Sequence, residues 1–208
     1  MNSSSFDGIY GSFTIDSMDE REVLGYRITL LTVGLSLTGL LLHWKFCGGI
    51  DAWPWIFPLS IGLGLSLRWI HIYLRFIHRT LQLLWLIGAV STGILILRTG
   101  LQELLPFFVK EPLSTWSATP FFASLVGVGV KEFFCFRRLE AAGLTFLLPI
   151  ALLGELSGFL KREECFILLL ASSCLLLVLA IYKFSVKSAA DVGDKSIFSY
   201  VEAQRRNI

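Results

Sequence analysis

The sequence predicts an all-α, polytopic membrane protein with six transmembrane helices and both termini on the cytoplasmic side. Three observations carry that expectation. Of 208 residues, 54% are hydrophobic and 16% charged, with a mean hydropathy of +0.69, whereas a soluble domain carries roughly 25% charge. Six apolar runs each approach the ~20 residues that cross a bilayer. The basic residues fall unequally between the loops that those runs leave on the two sides.

Residues 1–23 read as a polar N-terminal arm. Phe6, Ile9, Tyr10, Phe13 and Ile15 are spaced for a short extended segment at the membrane edge. No basic n-region precedes an apolar core, so the chain is expected to insert through its own first helix. Ser17 and Glu20 have the spacing of a capping box. Asp16, Asp19, Glu20 and Glu22 crowd the first turns, where the helix dipole favours negative charge. The transmembrane domain covers 24–184, with spans at roughly 24–44, 54–74, 80–98, 115–136, 139–160 and 164–184. Trp53, Pro54, Trp55 and Pro58 suit a first turn at an interface. Thr80 is placed to cap the third span. Residues 101–108 read as an interfacial segment, and Pro149 and Gly154 interrupt the fifth span. Residues 185–208 form a polar C-terminal tail.

Six spans put both termini on one side. That side takes 13 of the 18 lysines and arginines; the other takes Lys45, Arg98, Lys110, Lys161 and Arg162. The bias places the termini in the cytoplasm, or in the stroma of a plastid. A net charge of +2 and the lack of any RNA- or DNA-binding motif exclude nucleic acid as a partner class. The lipid bilayer is the partner that the composition demands.

The candidate site is a basic stripe between the second and third runs. On a helix advancing about 100° per residue, Arg68, His71, Arg75, His78 and Arg79 share one stripe about 100° wide. Trp69, Ile70, Tyr73, Phe76 and Ile77 lie opposite. Basic groups at membrane depth are costly unless satisfied. The stripe can bind an anionic group such as a lipid phosphate or a carboxylate, or His71 or His78 can ligate the metal of a haem or chlorophyll. Alternatively Arg75, His78 and Arg79 simply snorkel from the turn between spans. A second constellation holds Lys131, Glu132, Arg137, Arg138 and Glu140. Its simplest reading is an ion pair between Glu132 or Glu140 and the basic stripe; a proton path through Glu132 is the rival. Glu155 falls near the outer end of the fifth span, within reach of Arg98, Lys161 or Arg162. Cys47 and Cys165 fall on the outer side and can form a disulfide if that compartment is oxidising. No Cys-x-x-Cys pair, phosphate-binding loop, Gly-x-Ser-x-Gly or His-Glu-x-x-His is present, so neither a metal centre nor a catalytic residue is expected.

Three stretches carry a resemblance: 69–74, 131–140 and 192–198. Together with the Phe6–Asp16 arm they resemble an uncharacterised integral membrane protein family of cyanobacteria with relatives in plastids. The resemblance implies a plasma or thylakoid membrane and assigns no catalytic residue. Two functions follow as expectations. One is a non-enzymatic accessory, assembly or scaffold protein of a larger membrane complex, holding a pigment, haem or lipid. The other is a small-solute or ion transporter using the basic stripe and Glu132.

Overall fold

The computed structural model describes residues 4–72 and 74–197. Tyr73 of the stripe's apolar side, Phe198, and Arg205 and Arg206 of the tail lie outside the described residues.

The chain opens with an antiparallel hairpin, β1 (Ser4–Gly8) and β2 (Gly11–Ile15), in which Phe6 pairs with Phe13. Helix α1 (Ser17–Cys47) follows. Its capping box sits one residue earlier than the sequence spacing suggests. Asp16 accepts from the Met18 and Asp19 amides, and Asp19 accepts from the Asp16 amide. Asp16 wins because its short carboxylate both caps two amides and places negative charge at the dipole's positive end. Those amide hydrogen bonds hold its pKa below the ordinary value.

After a 3-10 turn at Trp53–Trp55 comes α2 (Ile56–Trp69), then α3 (Arg75–Thr99), the short α4 (Leu104–Lys110) and a second 3-10 stretch at Pro112–Ser117. Helices α5 (Thr119–Phe136), α6 (Leu139–Ser157) and α7 (Arg162–Lys183) complete the long elements, and α8 (Ser188–Val192) opens the tail. Arg137, at a φ of 50°, turns the chain between α5 and α6. Pro149 is accommodated inside α6 without ending it.

Five helices, α1, α3, α5, α6 and α7, are long and apolar enough to cross a membrane. The predicted second span over 54–74 is not one helix. Helix α2 has 14 residues, about 21 Å at 1.5 Å per residue, against a hydrocarbon core of about 30 Å. It stops at Trp69 because tertiary contacts end it. Ile70 turns extended and is buried in the core. The carbonyl of Leu67, freed in the last turn, accepts from His78 Nε2 at 2.6 Å and from Gln82 Nε2 at 3.3 Å. Orphan carbonyls at a helix end need such partners.

The six long helices close a ring in the order α2, α1, α7, α6, α5, α3 and back to α2. Leu30 and Val33 of α1, Leu63 and Leu67 of α2, Leu125 and Val128 of α5, Leu144 and Leu148 of α6 and Leu176 of α7 belong to one apolar core. The hairpin and the tail meet at one end of the ring, here called the near end. The Ile9 amide donates to Asp194 and the Tyr10 amide to Ser196. The Asp194 carboxylate also accepts from Ser196, and these bonds hold its pKa below the ordinary value. Ile15, Val23 and Val192 form a second small core beneath them. Helix α4 and the second 3-10 stretch lie at the opposite, far end.

Candidate functional site

The near end carries a buried ionic cluster. Glu132 and Lys183 are both 0% exposed. Glu132 Oε1 accepts from the Tyr26 hydroxyl at 2.7 Å and from Lys131 Nζ at 2.8 Å, while Oε2 accepts from Lys183 Nζ at 3.0 Å. Lys183 also donates to Asp191 Oδ1. Asp191 Oδ2 accepts from Arg27 Nε at 2.9 Å and Nη2 at 2.6 Å, and that Nη2 reaches the Val186 carbonyl at 2.7 Å. The Phe136 ring lies 3.7 Å from Lys183 Nζ, a cation–π contact that desolvation strengthens. One network thus joins α1, α5, α7 and α8. Each carboxylate oxygen has at least one charged or hydroxyl donor, which is the condition for burying charge at membrane depth.

This corrects the expected pairing. Glu132 bonds Tyr26, Lys131 and Lys183 rather than the basic stripe, and Glu140 bonds Arg138, with Nη2 at 2.5 Å. Arg138 stacks on Tyr182, its guanidinium 3.9 Å from the ring centroid. Arg137 is exposed at the turn. Sequence reasoning missed Tyr26, Lys183 and Asp191 and gave Arg27 no role. A lysine at the end of the most apolar run, followed eight residues later by an aspartate, was the available signal.

The stripe is not a helical stripe, because the helix breaks after Trp69. Arg68, Arg75 and Arg79 are exposed, while His71 and His78 are half-buried. Three of the five are nonetheless brought together: Arg68, His71 and His78, with Glu22 and Lys195, line a cleft of about 210 Å³. His71 Nε2 lies 3.5 Å from Glu22. Asp19, Glu22 and His71 bring one donor atom each to within 4.8 Å of one another. Lys195, however, donates to both Asp19 oxygens, so that acid is spent on an internal pair. The cleft does not fit a haem or chlorophyll. Sites for ligands of that size run to about 300–1,000 Å³, and the axial imidazole would open onto a smaller space.

His71 makes the cleft pH-sensitive. Burial holds its pKa below the ordinary value, against the opposing pull of Glu22. The fold therefore prefers the neutral imidazole. The stability it contributes is present above about pH 6.5, the unfolded value, and is lost as pH falls through the lower folded value. Thermal unfolding in detergent should show a lower midpoint at pH 5 than at pH 7, and His71→Gln should flatten that difference. An unchanged pH dependence in the variant would refute the assignment.

The far end holds a larger space than the near-end cleft. A cavity of about 780 Å³ is lined by all six ring helices and α4, among them Leu37, Leu41, Ile56, Gly93, Phe122 and Leu169. Polar groups gather at its rim: Lys45, Glu155, Arg162 and Glu163. Glu155 lies beside the Cys165 thiol and forms no salt bridge with Arg98, Lys161 or Arg162. All four cysteines are free, so the disulfide open to Cys47 and Cys165 in an oxidising compartment is not formed.

Residues 65–200 match the profile of an uncharacterized integral membrane protein family, DUF2301. No curated protein and no solved structure matches the chain. The matched residues include Glu132, Lys183 and Asp191 of the ionic cluster, and α3, α5, α6 and α7 of the ring. That span is well over half of the chain, and the five long apolar helices agree with it: the chain belongs to this family of integral membrane proteins.

Proposed function

We propose that this protein is a non-enzymatic membrane component that holds one lipid-like molecule by its apolar part in the far-end cavity, as an accessory to a larger membrane assembly. The observation that carries the reading is the cavity itself: about 780 Å³, walled mainly by Leu, Ile, Phe, Ala and Gly residues from every helix of the ring. Its size falls within the ~300–1,000 Å³ of sites that enclose one small molecule. The near end favours a static role over transport. Glu132 lines neither space and is saturated by three donors, an arrangement suited to a staple between helices rather than a proton carrier. The basic residues near the hairpin and tail favour a cytoplasmic or stromal near end, in a plasma or thylakoid membrane.

Gly93 supplies the test. It lines the cavity, and a side chain added there meets open space. Gly93→Phe should fill the cavity without displacing a helix. The protein purified in mild detergent is extracted with organic solvent, and the extract is analysed by mass spectrometry and by absorption from 350 to 750 nm. The wild type should carry one lipid-like compound near stoichiometry, and Gly93→Phe should carry at least tenfold less. Equal content in the two proteins, or none in the wild type, would overturn the reading. A visible absorption band would make the occupant a pigment held without an imidazole ligand.

A further inference from the structure

The far-end cavity is apolar except at one end, and that end carries charges of both signs. Lys45 lies at the close of α1, with its Nζ 5.4 Å from the centroid of the Phe166 ring. Arg162 and Glu163 open α7, and Glu155 lies near the end of α6, beside the Cys165 thiol. Phe166 and Cys165 are one turn along α7 from Arg162, so the four charged residues surround the first turn of that helix. Arg162 gives one bond to the Val109 carbonyl. Among the described residues none of the four forms a salt bridge, with each other or elsewhere.

Two cations and two carboxylates facing one mouth without pairing form an unusual rim. At the near end of the same molecule, Glu132, Asp191 and Asp19 are all paired with lysine or arginine. A head group with one sign would meet two like charges here. A head group with both signs meets complementary partners for each: Lys45 and Arg162 for the anionic part, Glu155 and Glu163 for the ammonium part. The apolar body is limited by volume, since about 780 Å³ lies in the range that encloses one small ligand. It has room for a single chain rather than a whole two-chain lipid.

Building on the cavity reading above, we infer that the far-end cavity binds a single-chain zwitterionic amphiphile, with its anionic group at Lys45 and Arg162, its ammonium group at Glu155 and Glu163, and its chain against Gly93 and Leu37. The chemistry recognised is a paired anion and ammonium on one head. A lysophospholipid with a phosphate and an ammonium supplies it, and so does an N-alkyl amphiphile with a carboxylate and an ammonium.

The test is a competition on the wild-type protein, which needs no variant to fold. The full chain, delipidated in a neutral sugar detergent, is titrated with four probes of equal chain length. These are lysophosphatidylethanolamine, an alkyl betaine, a fatty acid anion and a monoacylglycerol. Occupancy is read as bound probe per protein by mass spectrometry of the intact complex. The two zwitterionic probes should bind at least tenfold more tightly than the other two. Lys45→Gln with Arg162→Gln should erase that preference while leaving monoacylglycerol binding unchanged. Lysophosphatidylethanolamine binding without betaine binding would still support the proposal and would identify phosphate as the anionic group. Equal binding of all four probes would overturn the head-group assignment and leave the cavity reading standing. Binding of none of them would overturn both.

Discussion

Glu132→Ala should destabilise the protein by about 3–5 kcal/mol, the cost of removing one partner from a buried ion pair. The loss does not measure what the pair contributes. It measures what Lys183 suffers when left charged, 0% exposed and facing Asp191 and the rings of Phe136 and Tyr26. Tyr26 and Lys131 lose their acceptor in the same step. Glu132→Gln should cost less, because an amide oxygen can still accept from Tyr26. The decisive sample is the double variant Glu132→Leu with Lys183→Met. If the cluster is a staple, the double variant should recover most of the stability, since apolar replacement of a whole buried pair is often neutral or better. Asp191→Asn belongs in the same series, because Asp191 shares Lys183 with Glu132 and couples to it. Unfolding in mixed micelles, followed by tryptophan fluorescence, would give the four free energies. A single-variant loss below about 1 kcal/mol would mean that water reaches the cluster and that its burial has been misjudged.

How much of this was legible in the sequence follows from which forces set each feature. The runs that became α1, α3, α5, α6 and α7 are apolar over a bilayer's width, and nothing in the tertiary structure competes with that demand. Helix α2 was not legible. Its run continues past Trp69 with no Gly or Pro to mark a break. The break comes from Ile70 entering the core and from His78 and Gln82 capping the Leu67 carbonyl. The residues that end the helix therefore lie in the next helix. Once the break exists, the angular argument for a five-residue stripe fails. The spatial gathering of Arg68, His71 and His78 survives by a different route.

The ionic cluster was half-legible for a similar reason. A glutamate inside an apolar run announces a partner, but the partner lies on α7, 51 residues along the chain. Lys131, its immediate neighbour, was visible in the same motif and is indeed bonded to it. The far-end cavity left almost no trace. Its lining is spread over seven helices, and a shortage of volume has no pattern along the chain. Small residues at Gly88, Ala89, Thr92 and Gly93 hint at it, yet the same composition also marks a close helix contact.

Gly88 and Gly93, five residues apart on α3, separate those two meanings and give the last prediction. A β-carbon on Gly88 would fall on the backbone of Phe121, whereas one on Gly93 meets nothing. Backbone cannot swing aside as a side chain can, so α3 and α5 would have to part. Gly88→Ala should therefore cost about 1–3 kcal/mol, the usual range for overpacking, even though the exchange favours a helix by about 0.5–1 kcal/mol. Gly88→Val should cost more. The parting would also strain the Ser91 bond to the Ser117 carbonyl, which ties α3 to the stretch just before α5. Gly93→Ala carries the same helical gain with no clash and should be neutral or stabilising. The sign difference between two chemically identical exchanges isolates packing from propensity. If Gly88→Ala proved as harmless as Gly93→Ala, the close α3–α5 contact would not exist in the membrane, and the ring would be open at that joint.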